Sequence, residues 1–330
     1  MTGGDIHWRD GDRTIRLATG GLSSAPSLLE EAGWNDYELL STERALAGAP
    51  AELSAGAHRV HRVPAGAVNE ISAELLGKVD SDSLVAFGGG RVIDTAKAIA
   101  AVKDARVAAL PTTLSGAEMT AIHKLPDGHT AKARNRPVLV IADPDAMTAQ
   151  PERERRASAM NALAHAADSL YTPFAHPVSR MAALEAARQI AGGLEGGRSR
   201  DLALGSLLAG YAIDTAGFSL HHVICQSLVR VLRIPHAETN AAILPRAIEA
   251  LLARAPAEMA ELAAALATTP SELPARLEAL SGGRRTLAEI GADAEMVDEA
   301  LDAIQARGEL GMTPGTPDRD ELRRIIEIAW

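Results

Sequence analysis

The chain has 330 residues, enough for two domains, of which 47% are apolar and 23% charged, as in an ordinary globular protein. Its formal net charge of −10 argues against nucleic acid as a partner, because phosphate binding requires a basic face. A single cysteine excludes an internal disulfide framework and fits a reducing compartment. With no signal-peptide pattern and no apolar run of membrane-spanning length, we expect a cytoplasmic protein without a membrane partner.

The first half of the chain alternates strand and helix patterns. Apolar or alternating runs predict strands at 14–20, 36–42, 58–64, 83–90 and 106–113. Helical spacing predicts helices at 23–33, 67–78 and 92–103, and residues 43–56 read as helix or loop. Strands that alternate with helices form parallel sheets with helices on both faces. We therefore predict an α/β dinucleotide-binding domain with a Rossmann-like sheet over residues 1–150.

The pattern changes after Asp143-Pro144, and from Pro151 onward strand signals are almost absent. Helices are predicted at 157–171, 178–192, 199–218, 220–231, 240–254, 256–267, 270–281, 293–306 and 318–329, with a glycine-rich loop at 192–200. Residues 151–330 are therefore predicted to form an all-helical domain. A cleft between two such halves is a common place for a small-molecule substrate.

A glycine-rich turn follows the fourth predicted strand. In SLVAFGGGRVIDTAKAIA, Gly88, Gly89 and Gly90 join a buried strand to a helix whose first N–H groups could bind a phosphate. Asp94 is expected in the first turn of that helix, where it could bind a ribose or cap the helix. Thr112 and Thr113 follow the next strand, where a ligand would meet the sheet. The alternative is a tight turn and ordinary strand-ending threonines.

Histidines concentrate in two helical stretches of the second half. His165 lies four residues after Asn161, so both share one helix face. In LHHVICQSLVRVLRIPHAETNAAILPR, His221 and His222 precede Pro235, which should end a helix and leave His236 on the following turn. Imidazoles converging from two helices could form a metal or proton-transfer site. The alternative for each is a satisfied core or interface histidine.

Five stretches, in order and with matching spacing over residues 10–255, resemble the iron-containing alcohol dehydrogenase superfamily, and within it the maleylacetate reductases. FGGGRVIDTAKAIA resembles the loop of that family that binds the cofactor pyrophosphate, and LPTTLSGAEMT resembles its PTT-x-x-GSEMT segment. IADPDAM resembles its interdomain DP-x-L, and MNALAHAADSLYTP its NAIAHA-x-E-x-LYAP helix. LHHVICQSLVRVLRIPHAETNAAILPR resembles its LHHK-x-CHVLGG-x-x-x-LPHAETHA-x-x-LPH segment.

The resemblance implies a dehydroquinate synthase-like fold, that of the iron-containing alcohol dehydrogenases, and a homodimer. It implies NADH or NADPH bound at Gly88–Gly90, Asp94, Thr112, Thr113 and Leu114, with hydride leaving near Thr113. The implied metal ligands are Asn161, His165, His222 and His236. Asn161 replaces an aspartate, as in maleylacetate reductases, and a neutral amide is a weak ligand, so Fe or Zn is possible but not favoured. The three histidines would then polarise the acceptor, with His221 or water as proton donor.

The sequence departs from the family pattern where histidines are replaced. Gln226, Asn240 and Arg246 stand at those positions, and Arg230 replaces a glycine. Glutamine cannot act as an acid or base, whereas Arg230 and Arg246 could pair with a carboxylate or lie on solvated helix faces. We therefore predict an NAD(P)H-dependent reductase acting on a small carbonyl or unsaturated carboxylate. The alternative is the same fold used as a cofactor-binding non-redox enzyme or an inactive homologue.

Overall fold

A computed structural model describes residues 4–131 and 134–330, and the chain divides into two compact units, 1–149 and 150–330. The division lies within one residue of the predicted domain boundary. The predicted fold class, a parallel α/β sheet domain followed by a helical domain, is confirmed. Across the residues described, no helix combines the length and apolarity needed to cross a bilayer.

The first unit is built on a seven-stranded sheet in the order β1-β2-β7-β6-β5-β3-β4. All neighbouring strands run parallel except the β1–β2 pair, which is antiparallel. The strands are β1 Ile6–Asp10, β2 Arg13–Leu17, β3 Glu38–Ser41, β4 Arg59–Arg62, β5 Ser83–Gly88, β6 Arg106–Pro111 and β7 Leu139–Ala142. The helices are α1 Ala25–Glu31, α2 Glu43–Leu46, α3 Ala51–Ala55, α4 Val68–Leu76, α5 Gly90–Lys103 and α6 Pro144–Met147.

Strand β5 shows why its sequence is apolar without alternation. Leu84 and Ala86 pack on one face of the sheet with α4 and α5. Val85 and Phe87 pack on the other face with Leu29 of α1 and its neighbours. Successive strand side chains point to opposite faces, and both faces are covered, so every position must be apolar.

The second unit is helical throughout the residues described. Its helices are α7 Glu152–Tyr171, α8 Pro177–Gly196, α9 Ser199–Ala216, α10 Leu220–Leu232, α11 His236–Arg254, α12 Pro256–Ala265, α13 Leu273–Leu280, α14 Val297–Gln305 and α15 Arg319–Ile328. A short 3-10 segment, Gly308–Met312, lies between α14 and α15.

Three local predictions need correction. The stretch 192–200 is not a loop, because α8 continues to Gly196 and reverses at Gly197, whose backbone is left-handed. His236 does not follow a helix on a turn; Pro235 caps α11, and His236 is its first residue. Strands β1 and β7 were not predicted: β1 is short and half-exposed, and β7 has only four residues.

Candidate active site

The glycine turn of the first unit brings two chain segments into close contact. Strands β5 and β6 end side by side, with Gly88 opposite Pro111, and the Thr112 N–H donates to the Gly88 carbonyl at 3.0 Å. A Cβ atom at Gly89 would lie 2.9 Å from the Thr113 methyl carbon. Real Cβ atoms do not approach that closely, so the segment after β6 requires glycine at this position.

The start of α5 is open to an anion. Its N-cap is Gly89, which has no side-chain oxygen to accept from the first N–H groups, and its first turn contains no acidic residue. The N-terminus of a helix carries partial positive charge and unpaired N–H donors. These N–H groups lie where the sequence predicts that a phosphate binds, at Gly88–Gly90, and that binding stays a prediction.

Asp94 has a different position from the one predicted. It lies in the second turn of α5 and forms an ion pair of 2.7 Å with Lys97, whose side chain is 0% exposed. Lys97 also donates to the carbonyls of Ala117, Thr120 and Ile122 at 2.9–3.0 Å. Asp94 therefore neutralises a buried lysine that shapes the segment after β6, and it does not cap the helix.

The residues predicted to face a cofactor after β6 differ in exposure. Thr112 and Thr113 are partly exposed beside the glycine turn, whereas the Leu114 side chain is 0% exposed and belongs to the core. The side chains of Thr112 and Thr113 are therefore accessible to a cofactor, whereas the side chain of Leu114 is not.

Glu118 is a buried carboxyl group that the sequence analysis did not single out. It lies in the 3-10 turn Ala117–Met119 and is 0% exposed, and among the residues that the structure describes neither of its oxygens has a hydrogen-bond partner. Burial raises its pKa to about 7, against the opposing charge of Lys97. A glutamate in an apolar segment after a strand is the only sequence signal for it.

In the second unit, histidines from two helices meet. The rings of His165 on α7 and His222 on α10 stack with centroids 4.7 Å apart. The His222 Nδ1 donates to Asp168 Oδ2 at 2.8 Å. Among the atoms the structure describes, His222 Nε2 and His165 Nδ1 are buried without a hydrogen-bond partner. Buried polar atoms are normally paired, so these two nitrogens mark a place where a ligand can bind.

Asp168 orients this pair and was not predicted. Besides His222 Nδ1, its carboxylate accepts from the backbone N–H of Ser219 at 3.1 Å, the backbone N–H of His222 at 3.4 Å, and the Tyr171 hydroxyl. With Nδ1–H donated to Asp168, the His222 Nε2 carries a lone pair and acts as an acceptor. The sequence signal was its place three residues after His165, on the same helix face.

His221 is held differently. Its Nε2 lies 2.7 Å from the amide oxygen of Asn240, which can only accept, so His221 donates there. The Cys225 sulfur lies 3.5 Å from the same nitrogen, and the His221 ring is fully buried. His221, predicted as a proton donor, already donates its proton to Asn240, and this geometry indicates a positioning role.

The imidazoles of this site are neutral. Burial, with repulsion from His222, lowers the pKa of His221 to about 3. Burial, and after it the electrostatic effect of the nearby His236 ring, also lowers the pKa of His222, and burial with repulsion from His222 lowers the pKa of His165. Neutral rings can accept or donate hydrogen bonds, but they supply no stored proton near neutral pH.

The four candidate metal ligands do not form a fitting donor set. Asn161 is buried one turn before His165 and offers a neutral amide, while His236 lies exposed at the start of α11. Nowhere in the part of the chain that the structure describes are three His, Cys, Asp or Glu side chains placed to hold a metal ion. Asn161 supplies a neutral amide where a carboxylate would bind a divalent cation more strongly, which weakens the set for Fe or Zn.

A cationic group from the end of the chain reaches this region. Arg307 donates to the amide oxygen of Gln226 at 3.2 Å, and its guanidinium lies 5.8 Å from the Phe218 ring. Phe218 in turn lies 5.8 Å from the His222 ring. Glu309 accepts from Arg307 at 3.0 and 3.1 Å. The sequence analysis gave the chain beyond 255 little weight, and Arg307 was missed for that reason.

The arginines predicted as carboxylate partners are placed less favourably. Arg246 forms ion pairs with Glu249 at 2.5 Å and with Glu278. Arg230 lies exposed in the last turn of α10. Both Arg246 and Arg307 therefore have carboxylate partners within the chain, and Arg307 differs in also contacting Gln226, which lies on the same helix as His222.

Comparison with known proteins defines the class of this enzyme. Residues 18–151 match the family model "Iron-containing alcohol dehydrogenase", and residues 156–330 match "Fe-containing alcohol dehydrogenase family, C-terminal". The chain belongs to the iron-containing alcohol dehydrogenase family and is an oxidoreductase.

Within that family the chain is similar to maleylacetate reductases. It is 35% identical over 296 residues to maleylacetate reductase 2 of Cupriavidus pinatubonensis, covering 84% of this chain and 82% of that protein. It is 34% identical over 283 residues to maleylacetate reductase 1 of Rhodococcus opacus, covering 80% and 77%. The crystal structure of maleylacetate reductase from Rhizobium sp. strain MTP-10005 superimposes with a TM-score of 0.82 at 27% identity, covering 100% of this chain and 99% of that one.

Proposed function

We propose that this protein is an NAD(P)H-dependent reductase of the maleylacetate reductase type, acting on a small carboxylate whose carbonyl or conjugated double bond accepts hydride. The observation that carries the proposal is the buried Asp168–His222 pair, which leaves His222 Nε2 without a partner. The similarity to maleylacetate reductases supports the substrate class.

The first unit would hold the cofactor. The open N-terminus of α5 suits its pyrophosphate, and Thr112 and Thr113 lie beside the glycine turn. When bound, the reduced nicotinamide supplies the hydride. The stretch Ser41-Thr42-Glu43 after β3 places no unambiguous acid at the position that would bind the cofactor ribose. The proposal therefore covers both NADH and NADPH.

The second unit would bind the acceptor. His222 Nε2 accepts a hydrogen bond and so favours a hydroxyl or enol form of the substrate oxygen. The unpartnered Nδ1 of His165 lies on the neighbouring stacked ring and can bind a second substrate atom. These neutral rings position the substrate through hydrogen bonds, and we assign delivery of the proton to water.

Arg307 would bind the substrate carboxylate. Its guanidinium lies 5.8 Å from the Phe218 ring, and the Phe218 ring lies 5.8 Å from that of His222. Guanidinium groups bind carboxylates through paired hydrogen bonds, which fixes orientation as well as charge. A carboxylate substrate would compete with Glu309 for these donors.

The test is Asp168→Asn, measured by steady-state NADH and NADPH oxidation with maleylacetate. The amide preserves the shape but weakens the hold on the His222 tautomer, so we expect kcat/KM to fall by roughly 10- to 100-fold. Nicotinamide fluorescence should show unchanged cofactor binding, since Asp168 lies in the second unit.

Full activity in Asp168→Asn would contradict the role given to the pair. Parent protein that binds NADH or NADPH but does not turn over maleylacetate would instead favour the alternative, a cofactor-binding homologue without this activity. The hydrogen bond from His221 to Asn240 supports that alternative, because His221 then has no Nε2 proton to offer a substrate.

A further inference from the structure

A basic pocket lies in the second unit, outside the histidine site. It has a cavity volume of about 410 Å³ and is lined by side chains from the start of α7 and from the segment after α13. Four guanidinium groups and two carboxylates line it: Arg153, Arg156, Arg284, Arg285, Glu152 and Glu289.

Three of these arginines are fixed by backbone carbonyls. Arg156 Nη1 donates to the Leu280 carbonyl at 2.9 Å, and Arg285 Nη2 donates to that of Ser281 at 2.9 Å. Arg284 Nη2 donates to the Ile328 carbonyl at 2.9 Å. A carbonyl holds a guanidinium in place without cancelling its charge, so the remaining N–H donors are preorganised, but Arg156 Nε is also paired with Glu152 at 2.9 Å, which offsets its charge.

Arg285 provides the buried donor of the pocket. Its side chain is 7% exposed, and its Nε has no hydrogen-bond partner within the described chain. Burial lowers its pKa, and the charges of Arg153 and Arg156 act in the same direction. A buried guanidinium N–H without an acceptor is costly, and an oxyanion in the pocket would relieve that cost.

The charge within the pocket is positive although the chain is acidic overall. Glu238 lies 3.4 Å from Arg285 and 3.5 Å from Arg153, both at the long end for charged hydrogen bonds. Four arginines against Glu152, Glu289 and Glu238 leave a surplus of one positive charge, in a protein of net charge −10. Glu238 is therefore a weak internal acceptor that an external anion could displace.

We propose that this pocket binds a compact doubly charged oxyanion, either a phosphate group or a short dicarboxylate. The forked N–H groups of Arg153 and Arg285 meet the anion, while Arg156 and Arg284 supply charge from fixed positions. The proposal rests on the second unit alone and does not depend on the proposed reductase activity.

The experiment measures binding of inorganic phosphate and of malonate to the full-length protein by calorimetry and thermal shift. Chloride at matched ionic strength is the control for screening. We expect saturable binding and a rise in Tm that grows with phosphate or malonate concentration. Whichever anion binds more tightly identifies the ligand class.

Arg153→Gln is the test variant, because Arg153 is 58% exposed and its loss should leave the fold intact. Loss of one charged contact should weaken anion binding about tenfold. Arg188→Gln is the matched control, since Arg188 is 52% exposed and pairs with Glu185 on α8. Arg285→Lys, which keeps the charge but loses Nε, should also weaken binding.

Equal anion affinity in the parent, Arg153→Gln and Arg188→Gln would overturn the proposal. A thermal shift no larger than that of chloride at the same ionic strength would overturn it as well.

Discussion

Glu118 makes the stability of the first unit depend on pH in an unusual direction. Its two carboxylate oxygens are buried without hydrogen-bond partners in the described part of the chain, and burial raises its pKa from 4.5 to about 7. The nearby charges of Lys97 and Arg13 favour the carboxylate, and Asp94 opposes it. The folded protein therefore holds a proton here that the unfolded chain has already released.

The magnitude follows from the two pKa values. Their difference, 7 − 4.5, multiplied by about 1.36 kcal/mol per unit gives about 3 kcal/mol. Because the folded pKa is the higher one, this stabilisation is fully present below pH 4.5 and is lost as pH rises through 7. The Tm of a unit of this size shifts by roughly 2–4 °C for each kcal/mol of stability, so the expected change in Tm is roughly 6–12 °C.

The variant Glu118→Gln replaces the carboxyl group by an amide that does not titrate. Unfolding of parent and variant is followed between pH 4.5 and 8 by tryptophan fluorescence, to which Trp34 in the core of the first unit contributes. As pH rises across this range, the free energy of unfolding of the variant should increase by about 3 kcal/mol relative to that of the parent. Glu70→Gln, at an exposed position on α4, is the control and should show no such trend. A difference between Glu118→Gln and parent that stays within about 0.5 kcal/mol at every pH would refute the reasoning.

Three further predictions address the cofactor, the metal and the proton. Gly89→Val should abolish binding of NADH and NADPH, because a side chain there collides with Thr113, and unchanged binding would show that the cofactor site is elsewhere. Protein purified without added metal should contain little iron or zinc, and elemental analysis near one metal per chain would contradict this. Gln226→His should raise maleylacetate turnover, because general acid–base catalysis is worth roughly 100- to 10,000-fold; parent activity that matches the variant would show that Gln226 is no handicap.

The sequence predicted features whose cause is local. The uninterrupted apolar run at 83–87 predicted a strand covered on both faces, and β5 is such a strand. The proline and histidine patterns placed His165 and His222 on helices, where the structure has them. Hydrophobic periodicity and the residues that cap helices act over a few positions, so one sequence shows them.

The parts that could not be predicted depend on contacts between residues distant in sequence. Arg307 contacts Gln226 across 81 positions, and nothing near Arg307 indicates that partner. The His222–Asp168 bond spans 54 positions in the same way. The sequence predicted Asp94 in the first turn of its helix, but α5 begins at Gly90 and Asp94 lies in the second turn. Its ion pair with Lys97 depends on the burial of Lys97, which the sequence does not show.

The contact between Gln226 and Arg307 suggests how the acceptor site works without charged histidines. Because the Gln226 oxygen accepts from Arg307, its amide N–H groups are left to donate elsewhere. In the proposed reaction, hydride transfer to a conjugated carbonyl would place negative charge on the substrate oxygen, which the lone pair of His222 Nε2 cannot stabilise, so a hydrogen-bond donor or a cation is needed. Gln226 holds Arg307 by a hydrogen bond on the helix that carries His222, with Glu309 as the carboxylate partner of Arg307. Under the proposed function, glutamine at 226 gives up proton transfer but anchors this cation, and Gln226→His tests which of the two matters more for turnover.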